Sequence, residues 1–162
     1  MRYLLLFMVS ALVGCNSAAQ TQIDQTLVAI QQDLEQKVIT RVDVLRLSYS
    51  CMTFIAVTPE TLENNADQRI RIDSTSKHYA ELCEALKRTD FWYSDSDPGE
   101  VRLGLLFRQS DGTTRHSIFV DRPYLFIFAR AGAVDGQYVR VSGDLICWAD
   151  RLLDQADSRR PR

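Results

Sequence analysis

Ser74-Thr75-Ser76-Lys77 spells S-x-x-K ahead of an apolar-periodic segment, a spacing that can set a nucleophilic serine one turn from a lysine base. Enzymes built on it also carry S-D-N-like and K-T-G motifs, and neither occurs in this chain, which is also far shorter. Ser and Thr before a helix are ordinary caps, and a cap is the expectation here. Only two histidines exist, His78 and His116, on different elements. No H-E-x-x-H pair or G-x-S-x-G elbow accompanies them, and no spacing of Cys, His and carboxylates implies zinc. Each histidine is expected to be structural, with no catalytic residue, metal ligand or cofactor assigned. Asp95-Ser96-Asp97-Pro98-Gly99-Glu100 has part of the pattern of a calcium loop. It lacks the third acidic position and the distant bidentate Glu, so it reads as a turn.

A different signal lies at Asp111-Gly112, a two-residue hairpin turn between Val101–Gln109 and Thr113–Asp121. With Ser110 facing Thr113, Leu103 opposes Val120, Leu105 opposes Ile118 and Phe107 opposes His116 on an apolar face. The other face then sets Arg102 against Asp121, a plausible ion pair, and Arg108 against Arg115. Like charges opposed across strands repel. Arg108 and Arg115 are therefore the candidate contact for an anion or an acidic partner, against the plainer reading of two solvated side chains.

The chain opens with Met1-Arg2, an apolar run from Tyr3 to Val13, and then Leu12-Val13-Gly14-Cys15. A short basic start and an apolar core of this length form a secretory signal, too short for the ~20 residues of a membrane span. Those last four residues resemble the lipobox of bacterial lipoproteins: an aliphatic residue, a small one, Gly and Cys. The resemblance covers Met1 to about Asn16. It implies that Cys15 is lipidated and becomes the new N-terminus, leaving a mature chain of 148 residues in the cell envelope. It also implies three acyl chains, and two or more anchor stably. Asn16 after the Cys, where Asp would favour inner-membrane retention, favours the outer membrane. The mature chain carries 18 basic and 21 acidic residues, which argues against general nucleic-acid binding. Cys51, Cys83 and Cys147 remain, and an oxidising periplasm allows one disulfide among them with one thiol left over. No spacing chooses the pair.

The organisation expected is a signal peptide at 1–14, a lipidated polar tether at 15–21, one domain at 22–156 and a flexible tail at 157–162. Ile23, Leu27, Ile30 and Leu34 lie on one stripe of a helix over Gln22–Lys37, expected to pack on its own domain and leave a monomer. Arg41–Val57 reads as strand, with a change of parity between Val42, Val44 and Leu45, Leu47, Tyr49 that points to a bulge. Thr58-Pro59 starts a short helix, Arg69–Ile72 is an edge strand, and Lys77–Arg88 is a helix. Phe91–Gly99 is turn chemistry. A second hairpin runs from Tyr124–Ala133 to Gln137–Val141 around Asp135-Gly136, with Tyr124, Phe126 and Phe128 as an aromatic stripe read as core. A last helix covers Leu145–Asp154.

The sum is an α+β domain, an antiparallel sheet of about five strands with packed helices, held to a membrane through Cys15. The leading function is non-enzymatic, an accessory module that binds an envelope protein. The alternatives are a small envelope hydrolase built around His78 or His116, and a structural lipoprotein that oligomerises through its first helix. A pocket holding a His with a carboxylate or Cys partner favours the enzyme. An exposed aromatic patch favours the binder, and a bare apolar seam on the first helix favours the oligomer.

Overall fold

A computed structural model describes residues 2–48, 56–121 and 129–158, with side chains from residue 17 onward. Helix α1 (Arg2–Glu35) leads into β1 (Arg41–Arg46), α2 (Pro59–Asn65), β2 (Gln68–Asp73), α3 (Lys77–Lys87) and β3 (Thr89–Tyr93). Strands β4 (Val101–Arg108), β5 (Thr114–Asp121), β6 (Arg130–Val134) and β7 (Gln137–Gly143) follow, and α4 (Asp144–Asp157) closes the chain. The strands form one antiparallel sheet in the order β2-β1-β4-β5-β6-β7-β3. The α+β class stands, with seven strands where about five were expected. Part of the excess is β3, in a stretch read as turn: only Phe91 of its core is buried, so alternation barely registers in five residues.

Period-2 alternation splits the sheet into two faces. Val42, Val44, Leu103, Leu105, Phe107, Ile118, Val139 and Val141 join α1, α3 and α4 in the larger core. Leu45, Leu106 and Phe119 join Leu62 of α2 in a smaller core on the reverse face. Both parities of β1 are buried, so its change of pattern reflects cover on two faces and not a bulge. Gly132 permits the close approach of β6, since a Cβ there would stand 2.5 Å from the Phe119 carbonyl oxygen.

The first hairpin turns on three residues, not two. Gln109 N–H donates to the Thr113 carbonyl (3.0 Å), and Gly112, at φ 87°, occupies the left-handed position that follows a type I turn. Arg108 therefore faces Thr114, and a bulge restores the expected pairing of Phe107 with His116, Leu105 with Ile118 and Leu103 with Val120. A second shift sets Asp121 opposite Val101 instead of Arg102, which pairs with Glu100 at 2.5 Å. The second hairpin turns at Asp135 (φ 46°) and Gly136 (φ 81°), as expected for Asp-Gly.

Helix α1 is continuous from Arg2, so residues 16–21, expected as a polar tether, are helical. Its stripe is not bare. Ile23, Ile30 and Leu34 are buried, and Leu27 packs partly buried against them. Thr58 caps α2 and Pro59 stands in its first turn, while Ser76 caps α3 by accepting from His78 N–H (3.3 Å), the role expected for that serine. The Met52–Ile55 and Tyr124–Phe128 readings and the end of the tail, residues 159–162, fall outside the described residues. Among the described residues no helix is long and apolar enough to cross a membrane.

Candidate functional site

Among the described residues, two clusters of titratable groups contain a histidine. At the first, the bulge in β5 turns Arg115 and His116 toward Asp33 in the last turns of α1. His116 Nε2 lies 3.0 Å from Asp33 Oδ2, and His116 Nδ1 lies 2.6 Å from Asp135 Oδ2 in the second turn. Arg115 Nε donates to the same Asp33 oxygen. Asp135 also accepts from the Ser117 backbone N–H at 2.6 Å through its other oxygen. Burial works against a charged Asp33, but hydrogen bonds from Arg115 and His116, and their charges, outweigh it and hold the carboxyl below its ordinary range. Both His116 nitrogens are engaged, leaving none for a substrate. The result is a clasp between α1 and two turns of the sheet.

Beside it, Tyr79 of α3 donates its hydroxyl to the carbonyls of Ile39 (2.6 Å) and Leu34 (3.2 Å), fixing the exit of α1. Burial, and secondarily Cys83, push this phenol up to about 12. A donor with that fixed use is structural.

Arg108 and Arg115 are not neighbours across the hairpin. Arg108 donates to Asp43 (2.8 Å), to Glu63 of α2 (2.6 Å) and to the Gly112 carbonyl (3.1 Å), while Arg115 pairs with Asp33. The repulsion that singled them out is absent, because a three-residue turn and a bulge separate them and each has its own carboxylate. Cys83 and Cys147 are free thiols, Cys51 lies outside the described residues, and the Cys15 side chain does too. Burial raises the Cys83 thiol despite Lys87 nearby, which keeps it unreactive. Among the described residues no group of three or more His, Cys, Asp or Glu side chains is placed to hold a metal ion.

The second place is an open groove of about 590 Å³ between α3 and α4. Lys77, His78, Glu81, Glu84 and Arg88 line it from α3, and Asp144, Trp148 and Arg151 from α4. His78 Nδ1 lies 2.8 Å from Glu81 Oε2, so this groove does hold a His with a carboxylate partner. That hydrogen bond, ahead of lesser contributions that include the indole of Trp148, keeps Glu81 below its usual range. Trp148 is 5% exposed, and its Nε1 is buried. Among the described residues no Ser, Thr or Cys lines the groove, so no hydroxyl or thiol nucleophile accompanies the dyad. The groove escaped the sequence reading, although a Trp on the apolar face of a terminal helix needs an acceptor for its N–H, a legible signal. Asp33, one turn from Ile30 on the buried stripe, was a second signal.

No protein-family model, curated protein or solved structure matches this chain.

Proposed function

We propose that this chain is a lipid-anchored lipoprotein of a bacterial envelope, facing the periplasm with the outer membrane favoured, that binds a protein partner and is not an enzyme. Leu12-Val13-Gly14-Cys15 supports the address. The binding role rests on the contrast between the two clusters. His116, Asp33 and Asp135 are spent on fastening α1, whereas the α3–α4 groove is open and lined by alternating charges, Lys77, Glu84, Asp144 and Arg151 among them. A polypeptide that brings complementary charges to Lys77, Glu81 and Arg151 would seat in this groove. This moves the contact surface away from Arg108 and Arg115, whose charges are already neutralised.

Two experiments test the two halves. Cys15→Ser should leave the precursor unlipidated and move the protein out of the detergent phase, and membrane partition with normal processing would refute the anchor. Crosslinking in the native envelope should capture one protein with wild type and with Glu60→Gln on the opposite side of the sheet, but not with Arg151→Glu. Equal capture by Arg151→Glu refutes the groove as the contact. A second reading, a hydrolase using His78 and Glu81 to activate water, has the 2.8 Å dyad in its favour. It requires ester or amide turnover that His78→Gln abolishes.

A further inference from the structure

We infer that the β3 edge of the sheet is the face that lies against the membrane, with Trp92 and Tyr93 seated among zwitterionic lipid headgroups. This rests on the proposal that Cys15 carries the lipid. Helix α1 crosses the sheet from β5, where Asp33 meets His116, to the edge strand β3, where Gln20 is fastened. Gln20 Nε2 donates to the Phe91 carbonyl (3.0 Å), and Gln20 Oε1 accepts from the Tyr93 N–H (2.7 Å). Its side-chain amide thus pairs with the edge as a neighbouring strand would.

The helix continues without a break toward its N-terminus. Cys15 is five residues upstream of Gln20, about 7.5 Å along the axis at 1.5 Å per residue. Acyl chains leaving there hold the bilayer within one side-chain length of the β3 edge. The large apolar side chains exposed at that end are Trp92 (46%) and Tyr93 (38%) on β3, with Tyr138 (38%) on the adjoining β7. Tryptophan and tyrosine carry an apolar body and a polar tip, and they concentrate at the headgroup level of membranes.

Other occupants fit less well. Addition of a strand from a second copy needs free backbone groups, and Gln20 has taken the Phe91 carbonyl and the Tyr93 N–H. The exposed charges there are Asp90, Asp95 and Asp97 against Arg140 opposite Trp92, and this acidic excess disfavours an anionic surface. Zwitterionic headgroups accept the aromatic tips without that repulsion.

The test uses the lipidated protein purified from membranes, with Cys15 acylation read from its intact mass, reconstituted into phosphatidylcholine vesicles with brominated acyl chains. Trp148 is buried under α3 and α4, so quenching by the lipid reports Trp92. Wild-type emission should shift to the blue and be quenched, and Trp92→Phe should lose both effects while keeping its acylation. An acylated wild type whose emission is neither shifted nor quenched overturns the seating and leaves the lipoprotein proposal standing. An unacylated Cys15 overturns both.

Discussion

Removing the Asp33 carboxylate tests whether the clasp holds α1 to the sheet. The side chains of Asp33 and His116 are 12% and 11% exposed, and the Nε2–Oδ2 distance is 3.0 Å. A hydrogen bond to a charged group in such a setting nets about 1.5–3 kcal/mol. The Arg115 contact adds less, because its side chain is 46% exposed and water screens it, so about 0–1 kcal/mol is appropriate. Asp33→Asn should therefore cost about 2–3 kcal/mol in equilibrium urea denaturation, with an unchanged m-value. His116→Gln should cost a similar amount, since Asp33 and Asp135 each lose a partner. A histidine judged only as a lone packed residue would cost nearer 1 kcal/mol. If the two groups act as one unit, the double mutant falls short of additivity by about 1–2 kcal/mol. Additivity within about 0.5 kcal/mol would refute the clasp.

The same carboxylate predicts a pH dependence. Asp33 titrates below its ordinary value of 3.8 in the folded chain, so the unfolded chain takes up this proton first as pH falls. Its contribution is complete above pH 3.8 and is lost as pH drops through the lowered folded value. The stability difference between wild type and Asp33→Asn should accordingly be constant near neutrality and shrink in that acid window. A difference that grows on acidification would show the sign to be wrong.

Two further substitutions probe the frame. Ile30→Ala, at a fully buried position on the stripe of α1, should cost about 2–4 kcal/mol while sedimentation still gives a monomer, and a dimer broken by Leu27→Asp would overturn the folded-back helix. Gly132→Ala should destabilise by about 2 kcal/mol or more, because its Cβ would meet the Phe119 carbonyl and backbone has to move, and a neutral result in thermal unfolding would contradict that approach of β6 to β5.

Legibility from sequence followed the range of the interactions. Caps at Thr58 and Ser76, the Asp135-Gly136 turn and the stripe of α1 are local patterns, and each has its expected place. The register of the first hairpin was legible in its middle and wrong at its ends, because turn length and bulges depend on what the flanking side chains meet across the sheet. The pairing of Arg108 with Arg115 failed for this reason, and the carboxylates that Arg108 meets, Asp43 and Glu63, come from β1 and α2, which no local pattern connects to it. The partners of His116 lie 83 and 19 residues away and could not be named from the sequence. The α3–α4 groove arises from packing two helices whose polar edges look solvated in isolation.

The continuity of α1 bears on how an anchored domain is presented. A flexible tether lets a domain sample many orientations over a membrane. Here one helix contributes Ile23 and Ile30 to the core, clasps His116 through Asp33 and closes the β3 edge through Gln20. Freeing the anchored end to swing would break these contacts, which include buried side chains worth about 1.5–3 kcal/mol each. If Cys15 carries the lipid, β3 is the near edge of the sheet and β2, at the far end of its strand order, is the distal one.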